Sequence, residues 1–204
     1  MDKTKIMPEQ VYITGVGMTR FGRSEQPLEE LICQAGRQAI QEGGLAEVDA
    51  IYIGVMNAEE FTGQSNLAAL LADDLGFPGV PSSRVETASS TGAGVFASAF
   101  FSVASGYMRN VLVLAGEKMT HLPTKVTTRI LAEVIDRNER RYGASMPALA
   151  AMITQKYRHD HALTKRHMQD ILAAVAMKNH RNGASNPYAQ FQKPITREKY
   201  LESK

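Results

Sequence analysis

Strand-length runs alternate with helix-length stretches along the first half of this chain, and that order restricts the fold more than any other feature. Val11-Tyr12-Ile13-Thr14-Gly15-Val16-Gly17 reads as a short buried strand, and the Leu28 to Gly43 stretch after it as a helix with one apolar face. Residues 50–55 supply a second strand, Leu67 to Leu75 a second helix and Ser83 to Thr87 a third strand. A helix over 92–106 and a strand over 110–116 complete the series. The alternation predicts an α/β fold, a central sheet covered by helices on both faces.

The stretch from Gly92 to Gly106 mixes Ala93, Gly94, Ala97, Ser98 and Ala99 with Phe96, Phe100 and Phe101. So many small side chains permit close backbone approach, which suits a helix in the middle of an assembly. After Gly116 the pattern changes. Glu117 to Arg141 is charged, Pro147 to Tyr157 and Lys165 to Lys178 read as helices joined by polar residues, and Gly183 to Gln192 is rich in turn formers. A further short element begins through Thr196 and Glu198. The expected division is therefore an α/β domain over 1–117 and a helical and loop region over 118–204.

With 23 Lys plus Arg against 21 Asp plus Glu, the total charge gives a nucleic-acid partner no support. Tryptophan is absent and no aromatic ladder lies between basic residues, so a stacking platform for single strands is missing too. The lone cysteine, Cys33, falls on the apolar face of the first helix and reads as a core residue. No run approaches the roughly 20 apolar residues needed to cross a bilayer, and residues 1–10 lack a secretory core. The expectation is a cytoplasmic protein without membrane insertion.

The chemistry centres on Val85-Glu86-Thr87-Ala88-Ser89-Ser90-Thr91-Gly92-Ala93-Gly94, which places Ser89 where a strand gives way to a helix. A helix start leaves four N–H groups without intrahelical partners and carries partial positive charge, so it can hold an anion or a developing oxyanion. Ser89 is the candidate catalytic residue. Ser89, Ser90 and Thr91 equally suit helix capping and close packing, and both readings stand on these residues. Glu86 and the Glu117-Lys118 pair after the fourth strand share that ambiguity.

Other signals fail. Gly15-Val16-Gly17 follows a strand but lacks the third glycine of a dinucleotide fingerprint. The five histidines, His121, His159, His161, His167 and His180, form no metal-binding spacing, so no metal is expected. His180 reads as a polar helix-end or subunit-contact residue.

Several segments together resemble the thiolase superfamily, specifically its lipid-transfer (sterol carrier) type. They are Val11 to Arg23, the Val85 to Gly92 segment, Ala115-Gly116-Glu117-Lys118-Met119, Val175-Ala176-Met177-Lys178-Asn179-His180 and Asn186-Pro187-Tyr188-Ala189-Gln190-Phe191. The resemblance implies a thiolase-like N-terminal half with a mixed central sheet, followed by most of a helical loop domain, with a second, similarly folded half absent from these residues.

It further implies acyl-CoA or 3-oxoacyl-CoA substrates, with the CoA thioester as substrate and no permanently bound cofactor. The position matching Ser89 is usually a cysteine that accepts the acyl group, and Cys33 does not match it. A serine hydroxyl loses its proton far less readily than a thiol and needs a well-placed base. The family's remaining acid, base and oxyanion residues come mainly from the second half. The implied partners are a thiolase C-terminal half, in a homodimer or hetero-oligomer, and a small accessory subunit. Two other roles fit: a non-catalytic assembly subunit, and a component of an aldol-type lyase acting on CoA thioesters. Residues contacting CoA stay unassigned; Arg129, Arg137, Arg140, Arg141, Lys156 and Arg158 are basic enough to meet its phosphates.

Overall fold

The computed structural model describes residues 9–203, which fall into two compact units. One contains residues through Thr19 and Ser24–Leu122; the other contains Arg20–Arg23 and Pro123 onward.

The first unit begins its regular structure with α1 (Leu28–Gly43), whose Leu28, Ile32, Cys33 and Gly36 fall on one buried stripe. The helix stops at Gly44, which takes a left-handed φ of 61° and donates its N–H back to the last turn. The chain then runs through β1 (Ala50–Gly54), the short α2 (Ala58–Thr62), α3 (Leu67–Asp74), β2 (Ser82–Val85), a 3-10 turn over Ala88–Ser90, α4 (Thr91–Ala104) and β3 (Val111–Ala115). The three strands pair in parallel in the order β2-β1-β3. The register sets Ile53 beside Arg84 on one side and beside Leu114 on the other.

Both faces of β1 are covered, which accounts for its nearly continuous burial. Ile51, Ile53 and Val55 join Leu112 and Leu114 against Leu28, Ile32, Leu67 and Leu71, forming the main core with α1 and α3. The opposite face carries Gly54 and Tyr52 toward α4. A Cβ on Gly54 would lie 2.9 Å from Val95 Cγ1 and 3.2 Å from Thr91 Cγ2, so only glycine lets the start of α4 sit this close to the sheet. Tyr52 shares a 2.9 Å hydroxyl contact with Ser102 farther along the same helix.

The fold is α/β with helices on both sides of the sheet, as expected, and the described strands are all parallel. The strand expected at Val11–Gly17 does not form, and Tyr12, Ile13 and Val16 are exposed. Its backbone is held to α1 by other means: Val16 N donates to Glu42 Oε2 at 2.6 Å and Met18 N to Gln38 Oε1 at 3.0 Å. Side chains thus take up N–H groups that a strand neighbour would otherwise receive.

The second unit is helical: α5 (Thr124–Leu131), α6 (Arg137–Arg140), α7 (Met146–Asp160), α8 (Lys165–Ala184) and α9 (Arg197–Leu201). Ser145, Thr164 and Thr196 cap α7, α8 and α9 by accepting from the N–H three residues on, and Pro147 sits in the first turn of α7. Arg197 Nε donates to Asp170 Oδ1 at 3.1 Å and fastens α9 to α8. His180 Nδ1 lies 3.1 Å from Lys193 O and its ring tilts against Phe191, so it anchors the turn-rich segment after α8. Phe21 N donates to Tyr188 O at 2.9 Å, which brings residues 20–23 into this unit. Among the described residues, no helix is long and apolar enough to cross a membrane.

Candidate active site

Ser89 sits in the 3-10 turn between β2 and α4, with its side chain exposed at the carboxyl end of the sheet. Open α/β sheets place reactive groups at this end, where strands stop and loops carry side chains upward. The residue before it, Ala88, has φ 51°, a left-handed conformation that costs a residue with a Cβ about 1–2 kcal/mol. Local contacts hold it there. Thr91 Oγ1 donates to Ala88 O at 2.7 Å and accepts from Thr87 N at 3.0 Å, while Ser90 Oγ donates to Thr87 O at 2.7 Å. Glu86 reaches across the turn to accept from Ala88 N.

These contacts divide the hydroxyl cluster by role. Thr91 is buried and Ser90 is tied to the backbone, so both serve the turn; the Ser89 hydroxyl makes no hydrogen bond with the described residues. The serine and threonine that flank it thereby fix the backbone from which Ser89 projects, immediately ahead of α4.

The neighbouring strand ends are braced together. Arg84 on β2 donates from Nε to Val55 O at 2.9 Å and from its terminal nitrogens to Met56 O and both Glu59 oxygens at 2.7 Å. That pairing holds the Glu59 carboxyl below the usual range. From the other side, Glu117 Oε2, just past β3, accepts from Met56 N at 2.9 Å and Asn57 N at 3.4 Å. Burial pushes the Glu117 carboxyl up despite these two N–H donors. Glu117 Oε1 and Asn57 Oδ1 are buried and accept nothing from the described residues. Lys118 turns away to donate to Gln26 O, so the adjacent acid and base do not act as a pair.

Several signals could not be assigned from sequence. Asn57 and Arg84 carry no signal as isolated residues, because their role depends on pairing between strands distant in the chain. His121 Nε2 lies 3.0 Å from Phe61 O and is occupied structurally. Among the described residues, no three His, Cys, Asp or Glu side chains cluster as a metal site would require. The basic residues Arg129, Arg137, Arg140, Arg141, Lys156 and Arg158 all belong to the second unit; Lys156 pairs with Asp160 one turn away, and the Arg141 guanidinium lies over the Tyr142 ring.

The profile of the thiolase N-terminal domain matches residues 11–201. The chain belongs to that family. Acetyl-CoA acetyltransferase from Methanocaldococcus jannaschii is 36% identical over 196 residues, which cover 95% of this chain and 49% of that protein. Benzoylsuccinyl-CoA thiolase subunit BbsB of Thauera aromatica is 30% identical over 202 residues, 97% of this chain and 50% of the relative. The solved Ltp2-ChsH2(DUF35) aldolase superposes with a TM-score of 0.72 over 94% of this chain and 48% of its own, at 23% identity, a likeness of fold. This thiolase half spans about half the length of the curated relatives it matches.

Proposed function

We propose that this chain is the N-terminal half of a thiolase-like catalyst for CoA thioesters, completed by a polypeptide corresponding to the second thiolase half. The observation that carries the reading is the placement of Ser89, exposed at the carboxyl end of a thiolase-type sheet on a strained, cross-braced turn that opens into α4. A thioester carbonyl brought to Ser89 lies by the amino end of α4, whose free N–H groups favour charge developing on the carbonyl oxygen. In acyl transfer, Ser89 Oγ forms the new bond to the thioester carbon and the carbon–sulfur bond breaks. The hydroxyl proton passes through a base to the departing CoA thiolate. No described side chain accepts from the Ser89 hydroxyl, so that base belongs to the complementary half. A relative described as a subunit supports a multi-chain arrangement, to which a small accessory chain can also belong.

A second reading is favoured by the same serine. A hydroxyl where the family resemblance leads one to expect a thiol, without a base beside it, also suits a silent subunit that stabilises a catalytic partner. Intact-mass analysis of the assembly after incubation with acetyl-CoA separates the two. The catalytic reading requires an acetyl adduct on wild type that disappears in Ser89→Ala, with loss of turnover; unchanged turnover in Ser89→Ala leaves the silent-subunit reading. Product analysis distinguishes thiolysis from an aldol-type cleavage, which releases a ketone or aldehyde and a shortened CoA ester.

A further inference from the structure

Two buried oxygens at the turn leaving β1, Glu117 Oε1 and Asn57 Oδ1, have no hydrogen-bond donor among the described residues. They belong to one neighbourhood, because the other carboxyl oxygen, Glu117 Oε2, accepts from Met56 N at 2.9 Å and from Asn57 N at 3.4 Å. We infer that the neutral acid of Glu117 is a proton-carrying latch, its Oε1–H donating to Asn57 Oδ1 while Oε2 keeps the two backbone N–H groups. The inference stands apart from how the Ser89 site is completed.

A buried acceptor without a donor is costly, and two of them at one turn call for a hydrogen. The donors nearby are already committed. Arg84 donates to Val55 O, Met56 O and the Glu59 carboxylate, Lys118 Nζ donates to Gln26 O, and His121 Nε2 lies on Phe61 O. Asn57 directly precedes α2, where an asparagine oxygen commonly accepts from the first helical N–H groups. It makes no such bond here, and at 8% exposure it is not turned to solvent. One proton on Glu117 Oε1 serves both oxygens at once, the first as donor and the second as acceptor, whereas a carboxylate can only accept and leaves both unserved.

The surroundings favour that proton. Burial is the largest influence on Glu117 and disfavours its charged form, which outweighs the two N–H groups on Oε2. Of the charged side chains that act on it, Arg84 from β2 favours ionisation and Glu59 from α2 opposes it. Those two are paired with each other at 2.7 Å, so their effects on Glu117 largely offset.

The latch joins the residue after β3 to the first turn of α2, whose Ala58 and Phe61 are buried. In mild acid the bond to Asn57 Oδ1 is made and the turn is held by the side chain as well as the backbone. As pH rises through the folded-state value the proton leaves, Asn57 Oδ1 loses its donor, and opening becomes easier because water solvates the carboxylate better than the turn does. The carboxyl end of the sheet is therefore tight in mild acid and loosens toward alkali.

The test uses the full chain labelled with carbon-13 at glutamate Cδ. NMR follows the Glu117 signal across pH, and hydrogen exchange reads the Met56 and Asn57 amides. The expected result is a Glu117 midpoint above that of the same label in urea, a downward move of that midpoint in Asn57→Ala, and protection of both amides that falls several-fold as pH rises through the wild-type midpoint. Glu117→Gln, whose amide nitrogen donates to Asn57 as the acid does, keeps the protection and removes its pH dependence. A midpoint at or below the urea value, or an upward move in Asn57→Ala, overturns the proposal, since it reports an ionised Glu117 that receives a hydrogen from a flipped Asn57 amide or from a water. Protection lost at every pH in Glu117→Gln overturns it as well. The wild-type titration and exchange decide the matter on their own if a variant fails to fold.

Discussion

Arg84 and Glu117 hold opposite ends of Met56, the guanidinium donating to its carbonyl oxygen and the carboxylate accepting from its N–H. Residues from either side of β1 thus clamp the turn that leaves it, and the carboxyl end of the sheet behaves as one braced platform.

Breaking the clamp from the Glu117 side strands the Met56 and Asn57 N–H groups. An unsatisfied buried donor costs about 1–3 kcal/mol, so Glu117→Ala is expected to lower unfolding stability by roughly 2 kcal/mol in urea titrations. Glu117→Gln keeps an acceptor and is expected to lose less than half as much.

Glu117 and Asp49, perturbed carboxyl groups at opposite ends of the sheet, act with opposite sign. Burial raises the folded-state Glu117 value, so its contribution is fully present below the ordinary glutamate range and declines as pH rises through the folded value. Asp49 is held below its ordinary range by the N–H groups of Asn110 and Arg109, so its contribution is present at neutral pH and lost in strong acid. Urea midpoints measured across pH should flatten above the acidic range in Glu117→Gln, and flatten at the acid end in Asp49→Asn.

Relaxing the turn before Ser89 should improve stability while disturbing the site. Ala88→Gly removes the Cβ penalty at φ 51°, but adds freedom to the unfolded chain, for a net gain of about 0.5–1 kcal/mol. Thermal melts should rise by a few degrees. If Ser89 is the reacting group, adduct formation in the assembly should fall in the same variant.

Gly54→Ala tests the seating of α4. Its Cβ meets Val95 and Thr91, and overpacking of this kind costs about 1–3 kcal/mol. Because Thr91 also secures Ala88, the shift is expected to reach the Ser89 turn, visible as faster hydrogen exchange at Thr87 and Ala88.

Cys33 is buried at 1% exposure and its thiol is pushed up by desolvation. A thiol reagent should leave the native chain unmodified and react fully once it is unfolded. Reaction at the native rate of a free thiol would contradict the packing of α1.

Much of this architecture was legible because it rests on local pattern. Leu28–Gly43 announces itself by apolar spacing and a closing glycine, and β1 and β3 by short apolar runs between turns. The Val11–Gly17 segment misled for a physical reason: its residues favour a strand, yet a strand needs a neighbour, and Gly15 and Gly17 pack it on a helix. The short α2 and α6 carry too few residues for a helical period to emerge. The turn that carries Ser89 was legible because the change from strand to helix is local, whereas the Arg84, Met56 and Glu117 clamp joins three strand ends and exists only once β2, β1 and β3 are in register.

The open side of β3 bears on how such a chain is made in a cell. A newly synthesised copy exposes unpaired amides beside Tyr12, Ile13 and Phe100, the combination by which nascent sheets stick to one another. Rapid production of the chain is therefore expected to yield inclusion bodies or chaperone-bound material. Solubility of the chain then depends on how soon that edge is covered after synthesis.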